Sequence, residues 1–253
     1  MQALNVIATS TEDTVVAQYE PAKKRSDSYQ SEAALEKEFI QMLTQQGYEY
    51  LPIHKEADLV ANLRRQLELL NDYVFTDSEW EQFFSDAIAN PNEHIVEKTR
   101  KIQEDYVQVL HRDNGASKNI SLIDKKNVHN NRLQVINQYE VSKDQGAKHD
   151  NRYDVTVLVN GLPLVHIELT RRGVAIREAF NQINRYQRDS FWAGCGLFEY
   201  VQIFVISNGT NTKYYSNSTR FNAIREASSG KVKKQNTSNS FEFTSFWADA
   251  NNR

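Results

Sequence analysis

Hydrophobic positions change their spacing several times along the chain, and each change marks an element. From Ser31, which fits a helix N-cap, Leu35, Phe39, Met42 and Leu43 recur at helical spacing until Gly47 stops them. Leu59, Leu63, Leu67 and Leu70 predict a second helix; 78–89 and 95–110 predict a third and fourth, with Asp77 or Ser78 and Asn92 as caps. Residues 120–124 and 134–139 read as short strands. The run NRYDVTVLVNGLPLVHIELTRRGVAIREAFNQINRY over 151–186 predicts a strand, a glycine turn at Asn160-Gly161, a second strand and a helix whose buried stripe is Ile176, Phe180 and Ile183. The run VQIFVIS over 201–207, continuously apolar from Ile203 to Ile206, reads as a central strand buried on both faces, and 213–216 as a partner that closes the sheet. This order of elements predicts the α/β class, a central mixed β-sheet flanked by helices.

Two acids interrupt the paired strands: Asp154 in a run of Val, Thr and Leu, and Glu168 between Ile167 and Leu169. Ionised side chains are rarely buried without a partner or a metal. A two-residue loop at Asn160-Gly161 puts the acids on different faces, whereas a three-residue loop that includes Leu162 sets Asp154 opposite Glu168; the second register is the expected one. Facing carboxylates sit about 5 Å apart at Cβ and repel unless a cation lies between them. Mg²⁺, which accepts two carboxylates and keeps water in the rest of its shell, fits that position.

Composition changes this picture little. The 253 residues are 40% hydrophobic and 25% charged, as in an ordinary soluble protein. A net charge of -3 confines nucleic-acid contact to a local basic face, and Arg171, Arg172, Arg177, Arg185 and Arg188, against Glu178 and Asp189, supply one. Trp80, Phe83 and Phe84 recur at helix spacing and read as core, with Glu79, Glu81, Asp86, Glu93 and Glu97 as a solvated acidic face suited to a protein partner rather than to DNA. The single cysteine, Cys195, excludes a disulfide framework and reads as an inert thiol. With no signal sequence and no long apolar run, a cytoplasmic location and no membrane partner are expected. The chain divides into an arm over 1–27, a folded domain over 28–225, a flexible loop over 226–240 and a connector over 241–253.

Asp, a strand of spacer and then Glu-x-Lys is the signature of the PD-(D/E)xK nucleases. Around it, SYQSEAALEKEFIQMLTQQGYEY, LIDKKN, NRYDVTVLVNGLPLVHIEL, RRGVAIREAFNQINRY and IFVISNGT resemble the N-terminal nuclease region of the restriction (R) subunit of type I restriction-modification enzymes, nearly end to end. The resemblance implies a restriction-endonuclease-like fold and hydrolysis of double-stranded DNA, with Mg²⁺ held by Asp154, Glu168 and the Leu169 carbonyl. It implies catalytic support from Gln182 and Tyr186, four apart on one helix edge, and partnership with modification and specificity subunits. Nucleases of this kind often draw a further acid from the first helix. Glu32 projects into that helix's apolar stripe and Glu36 at its edge; Glu32 is the preferred ligand, the alternative being an acid placed there by the helix dipole.

One position departs from the pattern: Thr170 stands where the family has lysine, so the metal site is expected to persist and cleavage to be weak or lost. Arg172, next on that face, offers charge but no base. No Gly-x-x-x-x-Gly-Lys-Ser/Thr loop occurs, so the family's ATP-driven motor has no counterpart in these residues. Two other readings remain, a nuclease-fold module that binds DNA or partner subunits without cutting, and a hydrolase built on His149-Asp150 or His166. The last lacks any Gly-x-Ser-x-Gly elbow.

Overall fold

The computed structural model describes residues 4–9, 15–19, 31–217 and 244–247. The strand fragment or loose arm expected at the start contains an antiparallel pair, β1 (Leu4–Thr9) and β2 (Val15–Tyr19). The loop expected over 226–240 lies outside the described residues, as does the 241–253 connector apart from 244–247.

Helix α1 (Glu32–Gln45) starts where expected, with Ser31 Oγ accepting the Ala34 N–H at 3.2 Å. After the short strand β3 (Glu49–Tyr50) come α2 (Glu56–Asn71) and α3 (Asp77–Phe83), which runs into a π-type turn over Phe84–Ile88. The cap of α3 is Thr76 rather than Asp77 or Ser78. Thr76 Oγ1 accepts the Glu79 N–H, and Glu79 Oε2 accepts the Thr76 N–H in return. This capping box, with the Tyr73 hydroxyl donating to Glu79 at 2.7 Å, buries Glu79 and removes it from the acidic face on which it was expected.

Helix α4 (Ile95–Gln103), which follows His94 rather than Asn92, ends well short of residue 110. Beyond it, exposed Val107 and Val109 alternate with buried Leu110, a period of two, and form β4 (Val107–His111), paired with β5 (Ser117–Ser121). Next come β6 (Leu133–Val141), β7 (Asn151–Val159), β8 (Leu162–Leu169), α5 (Arg177–Asp189), β9 (Ile203–Ser207), β10 (Thr212–Ser216) and β11 (Ser245–Trp247).

The main sheet has the order β11-β10-β9-β8-β7-β6-β3 and is mixed, with β8–β9 and β3–β6 parallel and the other pairs antiparallel. It is the α/β architecture read from the sequence. Two local expectations fail. Strand β9 buries Phe204 and Ile206 on one face but covers the other only in part, with Val205 packed against the α1 side and Ile203 exposed, and β10 is not the edge because β11 adds outside it. Helix α1 covers one face, packing Leu35 with Val135, Val155, Val157, Ile167 and Leu169. The opposite face carries the larger core, with Leu59, Leu63 and Leu67 of α2, Phe180 and Ile183 of α5, and Trp80 and Phe83.

The β7–β8 hairpin closes through two residues, Asn160 (φ 50°) and Gly161 (φ 83°), both left-handed. A Cβ on Gly161 would stand 2.6 Å from the Leu63 backbone, so glycine is needed there for space as well as for conformation. The expected three-residue loop does not form. Val159 pairs with Leu162 and Leu158 with Pro163, but Val157 pairs with Val165, leaving Leu164 as an extra residue. That bulge supplies the offset that the longer loop was expected to supply, and the ladder then ends at Val155–Ile167, one step short of Asp154 and Glu168.

Candidate active site

Past Ile167 the two hairpin strands part company. Strand β7 stays paired with β6 down to Asn151, while β8 stays paired with β9 out to Leu169, so the sheet forks between Asp154 and Glu168. The Leu169 N–H, left without a strand partner on that side, donates to Asp154 Oδ2 at 2.9 Å. A residue's N–H and C=O point the same way in an extended strand, so the Leu169 carbonyl also faces the Asp154 side of the fork.

Glu168 is fully buried. The Tyr186 hydroxyl lies 3.2 Å from its Oε1 and 3.1 Å from the Arg152 carbonyl, and His166 Nε2 lies 3.0 Å from its Oε2. His166 also meets the Thr156 hydroxyl, 3.3 Å from Nδ1. Burial pushes the imidazole down to about 4, so the His166–Glu168 contact is a hydrogen bond from a neutral ring and not an ion pair. One tautomer serves both contacts, with Nε2–H donating to Glu168 and Nδ1 accepting from Thr156.

Burial is the first cause that lifts both carboxyls. Asp154 rises to about 7, with the neighbouring Glu168 as second cause, and Glu168 rises to about 8 against the pull of the Tyr186 hydroxyl and Arg185. Without a cation, the pair therefore retains a proton at neutral pH. Among the described residues no lysine or arginine forms an ion pair with either acid. Nor does any group of three or more His, Cys, Asp or Glu side chains there have an arrangement able to hold a metal. The groups that meet at the fork are two hard carboxyls and a carbonyl edge, an oxygen chemistry that would fit Mg²⁺ with water completing its shell better than zinc.

The other expected residues divide. Glu32 is exposed and does not enter the core face, yet it stands at the rim of the fork: its Oε1 accepts the Arg171 N–H at 3.3 Å and its charge raises Glu168. Glu36 is half-buried, bonded to the side chains of Asn137 and Gln138, and its charge raises Asp154. Tyr186 is buried against the site, and Gln182 is half-buried one turn before it on α5. Thr170 is buried, with its N–H donating to Ser207 O at 2.9 Å, and strand alternation gives it the same face as Glu168. Arg171, Arg177, Arg185 and Arg188 are exposed and Arg172 is half-buried; Arg185 stacks 5.2 Å from the Tyr186 ring, and Arg188 pairs with Asp189 at 3.0 Å.

His166 was expected only as a residue of the alternative hydrolase, not as a partner of Glu168. Its position two residues before Glu168 on an alternating strand was the available signal, since such residues share a face. Cys195, pushed up to about 12 by burial, fits the inert thiol expected of it. No helix among the described residues is long and apolar enough to cross a membrane.

The family model described as type I restriction enzyme R protein N terminus matches residues 29–223. The chain is 47% identical over 247 residues to the type I restriction enzyme EcoprrI endonuclease subunit of Escherichia coli, covering 97% of this chain and 73% of that protein. It is 40% identical over 195 residues to the SauMSSORF170P endonuclease subunit of Staphylococcus aureus, covering 75% of this chain and 20% of that protein. More distantly, it is 32% identical over 114 residues to the putative MjaIXP endonuclease subunit of Methanocaldococcus jannaschii, covering 44% of this chain and 11% of that protein. The chain thus spans most of one relative and a fifth or less of the others. It belongs to the family of type I restriction enzyme R protein N-terminal regions.

Proposed function

We propose that this chain is a nuclease domain that hydrolyses phosphodiesters in double-stranded DNA with Mg²⁺, and that its turnover is impaired at Thr170. The observation that carries the reading is the fork: a fully buried Glu168 carboxyl and a half-buried Asp154 carboxyl, both lifted toward neutrality, beside a strand edge that offers a carbonyl. Asp154, Glu168 and the Leu169 carbonyl are the candidate ligands. When bound, the ion supplies charge neutralisation and an activated water. The Tyr186 hydroxyl and His166 hold the two Glu168 oxygens, fixing its orientation, while Gln182 on the same helix edge as Tyr186 is a candidate contact to DNA. Exposed Arg171, Arg177, Arg185 and Arg188, with Arg172, form the basic side on which phosphates would lie. Glu32 at the rim is a candidate outer ligand through water.

Thr170 has the face but not the charge of the family lysine. Losing a positioned charged group of this kind lowers turnover by roughly 10²- to 10⁴-fold. A supercoiled-plasmid nicking assay in Mg²⁺ tests the reading: Thr170→Lys is expected to raise cleavage by that order and Asp154→Asn within it to abolish the gain. Equal, brisk cleavage by the parent and Thr170→Lys would remove the role given to that position. Cation binding with no cleavage in either protein would favour the non-cutting DNA-binding or subunit-binding module. Partnership with modification and specificity subunits, and any use of ATP, belongs to a larger assembly and is proposed only on the likeness to the endonuclease subunits.

A further inference from the structure

The backbone beside Asp154 has a feature that neither a turn nor a helix cap explains. Among the described residues three non-glycine residues have positive φ: Asp72 ends α2, Asn160 makes the hairpin turn, and Gln138, at φ 52°, lies inside strand β6. The β6–β7 ladder pairs Asn137 with Val155 and Tyr139 with Tyr153, and leaves Gln138 and Asp154 between them unpaired.

Side chains change faces across this gap. Val135 and Val155 pack under α1, and Asn137 donates to Glu36 of α1 at 2.6 Å. Tyr139 and Tyr153 pack in the opposite core, both against Phe198. Residues two apart in a regular strand share a face, so both strands turn over here, and of the two central residues only Gln138 has left-handed backbone. Strand β7 follows β6 through the pairs on either side. Asp154 is the residue at the turn-over, and its carboxylate reaches the neighbouring strand to accept the Leu169 N–H.

We propose that Gln138 is a positioning residue whose left-handed backbone turns β6 and β7 over at one point and so aims Asp154 at the fork beside Glu168. Irregular strand residues next to active sites re-aim side chains in this way. The Gln138 side chain adds a tie to α1 by donating to Glu36. The inference rests on the proposed function for its metal readout alone; its backbone readout is independent.

The test uses the full chain. In Gln138→Val the β-branch resists positive φ. Mn²⁺ binding, read by calorimetry without DNA, is expected to weaken by about tenfold or more, and hydrogen exchange at the Leu169 amide of the metal-free protein to accelerate. Gln138→Gly, free to adopt the same backbone, keeps Mn²⁺ affinity within about threefold and Leu169 protection intact. Gln138→Thr carries the same branch and stands in should Gln138→Val not fold. A folded branched variant with parental Leu169 exchange and Mn²⁺ affinity would overturn the proposal, as would loss of Leu169 protection in Gln138→Gly or Glu36→Gln, which would assign the effect to the side chain. If Asp154→Asn and Glu168→Gln leave Mn²⁺ binding unchanged, the metal site fails while Leu169 exchange still judges Gln138.

Discussion

The two ends of the β7–β8 hairpin bury polar side chains in opposite ways. At the turn, Asn160 is 1% exposed and saturated: its Oδ1 accepts the Arg132 N–H, and its Nδ2 donates to the Leu122 carbonyl and to Asn131 Oδ1. At the fork, Glu168 is 0% exposed and Asp154 is mostly enclosed, each a carboxyl next to another carboxyl, with neutral hydrogen bonds and no paired cation among the described residues. A neutral amide with every atom partnered stabilises a turn. Two acids so placed oppose each other unless a proton or metal ion intervenes. One end of the same ladder thus holds the fold, and the other holds two acids whose enclosure costs stability.

The largest expected effect breaks the comparison at the fork by pH. Groups whose folded-state pKa is raised contribute stability that is present below their unfolded pKa and lost as pH rises through the folded one, here about 7 for Asp154 and about 8 for Glu168. His166, lowered to about 4, acts in the opposite sense: its contribution is present above the ordinary histidine range and lost as pH falls through about 4. Of these three groups, only the carboxyls change between about pH 6.5 and 8.5. Metal-free urea midpoints are therefore expected to fall across that window, Mg²⁺ to reverse the fall, and the Asp154→Asn, Glu168→Gln double variant to flatten it. A parental profile without slope would mean the acids are not buried together.

At the other end, Asn160→Ala removes three side-chain hydrogen bonds and a residue suited to positive φ. A loss of about 2–3 kcal/mol in urea unfolding is expected, with Mn²⁺ affinity of the folded protein retained. Loss of both together would show that the two ends are not separable. The smallest effect sharpens the distinction within the fork. His166→Phe keeps a ring among Tyr153, Tyr186 and Phe191 but removes the bond to Glu168. It is expected to weaken Mn²⁺ binding by about tenfold with little change in melting temperature; an unchanged affinity would reduce His166 to packing.

Much of this was legible in the residue order because it is local. Ser31 before an apolar stripe, Asn160-Gly161 between alternating runs, and Ile176, Phe180 and Ile183 at helix spacing each specify their own element. The errors lie where a distant partner decides. Residues 107–111 continue the apolar count of α4 and become a strand because β5 is there to pair with them. Glu79 looks solvated in sequence and is buried because Thr76, Tyr73 and Asp113 converge on it. The edge strand β11 joins β10 from about 30 residues further along the chain, a separation that no local pattern signals. The expected offset between Asp154 and Glu168 is present, but a bulge rather than a longer turn supplies it and the ladder stops one step before the two acids, since a bulge inside a strand leaves no mark as plain as a glycine.

That bulge at Leu164 uncouples the loop from the chemistry. Because the offset between the acids depends on the sum of turn length and inserted residues, a chain with one residue more at Asn160-Gly161 and one fewer at Leu164 would present the same carboxyls at the same fork. Compensated length changes of that kind leave the acids aligned, whereas a lone insertion or deletion at either place turns over the β8 side chains that follow it and carries Glu168 into the layer beneath α1.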